Sequence, residues 1–347
     1  MRGIWGVRGW VLGLMWISGL LGMFADYRSP FSVSRSALLG GGSPAEAAET
    51  AAAYHIFLPM VLRAPASVLP EWLSRLNAYR AMAGLPPVTE KPEWSEGCRQ
   101  HARYMVKNDV ITHGEDPNNP WYTPEGDACG RNANVMVSSS ATASDAYAID
   151  VWMQAPFHAV GMLDPRLMQV GYGSYREADG GWQMGAALDV IRGLGTSVAG
   201  VSFPIRWPGD GSTTSLRAFQ VGEYPDPLAH CRYTAPTGAP IFLLLGTGSL
   251  TPNVTAHSLK RDGVPVERCV FDETTYTHPT DPNQQQLGRL ILGHRDAIVI
   301  LPKDPLSPGS RYTVSVTVNG QTYTWSFDVA SSGIQAATGP EPDAEVR

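Results

Sequence analysis

Trp152-Met153-Gln154-Ala155-Pro156-Phe157-His158, followed by Leu163-Asp164-Pro165 and Val170-Gly171-Tyr172-Gly173, carries the reading of the fold. Upstream of it, Ala146, Ile149, Val151 and Trp152 recur at helical spacing, which predicts a helix over about residues 143–153. Downstream, residues 169–174 and 181–190 read as short strands. Ala178-Asp179-Gly180-Gly181 between them has the turn residues of a hairpin.

Working toward the N-terminus, a second helix is expected over about residues 93–108, with Trp94, Cys98, Ala102 and Met105 as its inner stripe. A first helix opens at Pro70 and carries Trp72, Leu73, Leu76, Tyr79 and Ala83 at helical spacing. Gly84 stops it, and Leu85-Pro86-Pro87-Val88 runs extended. Helices around a small antiparallel sheet make an α+β domain, or a layered α-β-α one, over residues 70–195.

With Leu76-Asn77-x-x-Arg80-x-x-x-Gly84-Leu85-Pro86-Pro87-Val88 in place, residues 70–193 resemble the CAP superfamily of cysteine-rich secretory proteins, antigen 5 and pathogenesis-related proteins. His101-Ala102-x-Tyr104-Met105, His113, Asn132-Ala133, Trp152, Pro156-x-His158, Leu163-Asp164-Pro165 and Val170-Gly171-Tyr172-Gly173 match it in order and spacing. The resemblance implies a three-layer α-β-α sandwich, an extracellular location, and a cleft with two histidines and two glutamates. Such a tetrad binds a divalent cation such as zinc, and zinc or calcium is the cofactor it implies here.

His113 and His158 match the two histidines. The acids do not carry over, because Arg131 stands at the first glutamate's place and Ala155 at the second's. Glu125 and Glu115 are the substitutes offered by neighbouring loops. An arginine beside the ligands repels a cation, and Arg131 is equally suited to an ion pair with Glu125 or Asp127. The expected cleft therefore contains His113, His158, Glu125 and Arg131, with His113, His158, Glu125 and Glu115 as the metal candidates. His101 reads as a packed or capping histidine.

Beyond a Pro- and Gly-rich bridge at residues 203–211, the pattern turns to strands. Residues 241–245 and 298–300 are apolar runs. Tyr312, Val314, Val316 and Val318 alternate with polar residues before Asn319-Gly320, and Tyr323, Trp325 and Phe327 alternate after it. With Pro305-Leu306-Ser307-Pro308-Gly309, this hairpin resembles the last strands of bacterial immunoglobulin-like domains. That implies an antiparallel β-sandwich of about seven strands over residues 200–330, with no evident site. Asn253-Val254-Thr255 spells a glycosylation sequon.

Arg2 and Arg8 precede an uncharged apolar run at residues 10–24, so residues 1–25 read as a signal peptide, with an uncleaved membrane anchor as the alternative. Residues 26–69 read as a flexible linker, interrupted by an apolar stretch at 54–62, and residues 331–347 as a disordered tail. In an oxidising compartment four cysteines suggest one bridge in each domain, Cys98–Cys129 and Cys231–Cys269, among three possible connectivities. No Cys-x-x-Cys occurs, which argues against a zinc ribbon.

A net charge of −6 without a basic block excludes a nucleic-acid partner. The expected role is a secreted, non-enzymatic binding protein taking a small apolar ligand, a divalent cation, or an extracellular or cell-surface protein through the histidine cleft. Membrane contact is expected only through the N-terminal segment. The alternative is a histidine- or metal-dependent hydrolase of peptide or cell-wall substrates. Ser138-Ser139-Ser140 forms no nucleophile elbow, and no catalytic residue is assigned.

Overall fold

Pro70 has no N–H to donate and sits where a helix has no use for one, just ahead of α1 (Glu71–Met82). Gly84, at φ +71°, then turns the chain out of the helix. Asn77 fixes the extended stretch that follows, donating Nδ2 to the Val88 carbonyl and accepting the Val88 N–H at Oδ1. The computed structural model describes residues 69–196, 198 and 200–332, together with the backbone of 344–346. The leader, the linker and the 54–62 stretch lie outside the described residues.

The first segment continues as β1 (Thr89–Glu90), α2 (Pro92–Lys107), α3 (Pro124–Gly130), β2 (Ala133–Ser138), α4 (Asp145–Gln154), α5 (Pro156–Met162), β3 (Gln169–Arg176) and β4 (Met184–Asp189). Strands β3, β4 and β2 pair antiparallel, and β1 adds a parallel edge to β3. Side chains alternate across β3. Gly171 and Gly173 lie directly under Trp94 and Arg99 of α2, while Tyr172 stacks on Trp72 of α1 at 4.9 Å and meets Trp152 of α4 edge-on at 6.4 Å. The fold is mixed helix and sheet, as the α+β reading expects.

Arg80 ties α1 to the segment after α5. It is fully buried and donates to the carbonyls of Pro86, Met162, Asp164 and Leu167 at 2.8–3.1 Å. Its hydrogen-bond partners are all carbonyls, and burial draws its pKa down to about 10 against the opposing pull of Asp164.

The later residues form β5 (Ile205–Trp207), β6 (Thr213–Thr214), β7 (Ala218–Phe219), β8 (Gly222–Glu223), α6 (Pro227–Cys231), β9 (Thr237–Gly238), β10 (Ile241–Leu244), β11 (Val254–Arg261), β12 (Val264–Pro265), β13 (Arg268–Phe271), α7 (Pro282–Gly293), β14 (Ala297–Pro302), β15 (Arg311–Val318) and β16 (Gln321–Val329). One sheet runs β13-β14-β10-β5 and a second β12-β11-β15-β16-β6. At the β15–β16 turn Asn319 and Gly320 both have positive φ, 51° and 78°, as the expected two-residue hairpin needs. Its register sets Val314 opposite Trp325 and Tyr312 opposite Phe327, all buried.

Helix α7 departs from an all-strand reading of this segment. Asp281 caps it, accepting the N–H groups of Asn283 and Gln284, and Pro282 fills its first position. The reading of residues 331–347 as disordered also fails at Ala344–Val346. These residues form β17, antiparallel to β2 and parallel to β8, and so cover an edge of the central sheet that would otherwise stand unpaired.

By its contacts the chain divides into Met1–Ala64 and Pro65–Arg347, and the latter is one compact unit. A single apolar cluster within it contains Trp72, Trp152 and Tyr172 of the first segment and Phe271, Ile298 and Val314 of the second. A smaller cluster surrounds the Cys98–Cys129 bridge, and the Cys231–Cys269 bridge packs against the larger one. Closing 31 residues restricts the unfolded chain by about 3–4 kcal/mol in the chain-entropy picture. We expect Cys98→Ala with Cys129→Ala to lose about that much stability in urea unfolding; an unchanged midpoint would assign the bridge no role.

Candidate functional site

Ala155 ends α4 and begins α5, and Pro156 takes the first position of the new helix. The next backbone N–H, of Phe157, has no partner within the helix, and that of His158 reaches back to the Ala155 carbonyl at 3.1 Å. Both donate to Oε1 of Glu223 on β8, at 2.8 and 3.1 Å, and His158 Nδ1 donates to the same oxygen at 2.8 Å. Because that oxygen already accepts two backbone donors, Nδ1 must carry a proton, and Nε2 holds the lone pair in the neutral ring. Burial pushes the Glu223 carboxyl above its ordinary range, opposed by the His158 bonds. Its other oxygen, Oε2, is buried without a hydrogen-bond partner.

His113 is fixed by a different element. Its Nδ1 donates to the carbonyl of Gly130, the last residue of α3, at 2.8 Å. In the neutral ring, Nε2 again carries the lone pair. Thr123 caps the start of α3 through the Gly126 N–H, and the other end of that short helix holds this histidine.

The two rings share one cavity of about 610 Å³, within the range of small-molecule sites. Its polar wall comprises His113, Arg131, Asn134, His158, Tyr224 and Arg295, and its apolar wall is Phe157, Val190, Ile191, Leu287 and Ile291. Leu287, Ile291 and Arg295 come from α7 and the turn after it. Gly288 lets α7 approach, since a Cβ there would run into the rings of Tyr276 and Phe157. His158 is buried and His113 is exposed, so one ring lies deep and the other at the mouth.

The remaining sequence candidates are distributed unevenly. Arg131 lines the cavity while its Nε holds Asp127 Oδ2 at 2.7 Å, choosing Asp127 over Glu125. Glu115 and Glu125 do not join the histidines. Glu115 is turned inward, with Oε1 on His101 Nδ1 at 2.9 Å and Oε2 accepting the Thr123 N–H. Two satisfied oxygens leave it an anchor for the loop, and His101 is fully buried between it and the Thr112 carbonyl. Glu125 is exposed in the first turn of α3, where an acid suits the helix dipole. None of Ser138, Ser139 and Ser140 lines the cavity.

Zinc or calcium does not fit the groups present. Two imidazoles and two guanidiniums face the space, and none of the described residues lining it is acidic. Among the described residues, no group of three or more His, Cys, Asp or Glu is placed to hold a metal ion. A tetrahedral zinc site takes three or four such donors.

Glu223 and Arg295 were not singled out in the sequence. Neither stands at a motif spacing, Glu223 lying 65 residues beyond His158. For α7 a signal was present in Asp281-Pro282, a capping residue followed by a proline.

Residues 73–184, about a third of the chain, match the family model described as CAP, the cysteine-rich secretory protein family. Among curated proteins no match is found. No helix among the described residues is long and apolar enough to cross a membrane.

Proposed function

We propose that the chain is a secreted binding protein, an α-β-α sandwich of CAP type joined to an immunoglobulin-like β-sandwich, and that its cavity takes a small, largely apolar ligand. The observation that carries this reading is the shared cavity. His113 and His158, from distant segments, open onto one space that is also lined by Phe157, Val190, Ile191, Leu287 and Ile291. Two disulfides agree with an oxidising, extracellular setting.

Dodecanol is a suitable neutral probe. Ile191 and Leu287 are 49% and 37% exposed at the cavity, so Ile191→Asp with Leu287→Asp should leave the fold in place. Replacing two apolar contacts with charge should weaken dodecanol binding by about ten-fold or more. Equal affinity in the variant and the wild type, by calorimetry, would remove the ligand from this cavity.

The Glu223–His158 hydrogen bond favours a second reading, in which His158 serves as a base toward water in a hydrolase. Turnover of ester or peptide substrates that vanishes in His158→Ala would carry it; no turnover by the wild type counts against it.

A further inference from the structure

The least settled side chain in the cavity wall is Arg295. It is 8% exposed, and a guanidinium offers five donors. Nη1 donates to the Ile291 carbonyl at 3.1 Å. Nε lies 3.0 Å from Asp164 Oδ2 but without the alignment of a hydrogen bond. Asp164 is not Arg295's alone, since Arg166 binds both of its oxygens, at 3.0 and 2.8 Å. Asp164 thus serves two guanidiniums, and while Arg166 also feels the buried Asp296, Arg295 has only its unaligned share of Asp164.

The rest of the wall does not supply Arg295's missing partner. Arg131 and Asp127 cancel, and the Glu223 oxygen turned toward His158 is taken up by the N–H groups at the start of α5. No described residue lining the space is Asp or Glu. A buried guanidinium with an incomplete partner set is costly; an oxyanion on the cavity side would complete it, in the planar, bidentate manner arginine favours. Arg131, at the mouth, offers a second guanidinium where the resemblance leads one to expect a glutamate.

We infer that the ligand is an amphiphile with a single anionic head, a carboxylate or phosphate set against Arg295 and Arg131, and an apolar body lying along Phe157, Val190, Ile191 and Ile291. This rests on the binding reading above and specifies its ligand class.

Dodecanoate, dodecyl phosphate and dodecanol, titrated into the full chain below their micelle concentrations, test it. Either anion should bind about ten-fold or more tighter than dodecanol, the margin of one charge-assisted hydrogen bond. The leading anion identifies the head group. In Arg131→Gln, and in Arg295→Gln if it folds, the preference over dodecanol should fall toward one. The exposed Arg131 makes the first variant safe for the fold. Added salt should weaken the anions and spare dodecanol. Dodecanol bound as tightly as both anions, or a preference untouched in Arg131→Gln and by salt, would overturn the anionic head and leave the cavity reading standing. Failure of all three probes to bind would remove that reading as well.

Discussion

Glu223→Ala should cost about 2–6 kcal/mol, the cost of stranding two buried hydrogen-bond donors at about 1–3 kcal/mol each. The whole loss traces to one oxygen. Oε1 accepts the Phe157 and His158 backbone N–H groups and the His158 ring N–H, and the Glu223 side chain is fully buried. Truncation strands two buried donors, the Phe157 N–H and the His158 ring N–H, each costing about 1–3 kcal/mol when no water can replace the bond, while the His158 backbone N–H keeps the Ala155 carbonyl. Glu223→Gln should lose less, because its amide oxygen can still accept. Urea unfolding of the two variants against the wild type decides it. An alanine variant as stable as the glutamine one would mean that the carboxylate does not hold the helix and its histidine.

Gly173→Ala should be the second large loss, and here the cause is steric. Gly173 faces α2, and a Cβ there would overlap the backbone nitrogen and Cα of Arg99. Backbone cannot rotate aside as a side-chain tip can, so the sheet and α2 must separate. Overpacking costs typically about 1–3 kcal/mol, and a backbone collision belongs at the upper end or beyond. Gly161→Ala is the matched contrast. Its Cβ would meet Val190 Cγ2 at 3.4 Å, an ordinary contact, and Gly161 is inside α5. Alanine there removes the flexibility penalty of a helical glycine and should be neutral or stabilising by up to about 1 kcal/mol. Similar melting temperatures for the two alanine variants would contradict this packing.

The periodic elements were readable because their periods are local. The apolar spacing of Trp72, Leu76 and Tyr79 gives α1, and the alternation around Asn319-Gly320 gives the β15–β16 hairpin to the residue. His113 and His158 could be named because each lies in a recognisable string. Their partners could not. Glu115 stands two residues from His113 yet bonds His101, while Glu223 arrives from β8 to bond His158. Sequence proximity cannot rank such candidates, since the choice depends on which strand the tertiary fold sets beside α5. The cavity's far wall was hidden for a related reason. The pattern of residues 282–293 lacked the strand alternation of its surroundings, and only its Asp-Pro cap betrayed a helix.

Imidazole nitrogen resonances report the state and the surroundings of His113 and His158 together. In the neutral rings, a long-range proton–nitrogen correlation spectrum should show both histidines protonated at Nδ1, as their bonds to Gly130 and Glu223 require. Added dodecanoate should then shift both Nε2 resonances in one saturating transition. An Nε2–H form of either ring, or a shift at one histidine without the other, would contradict a common binding cavity.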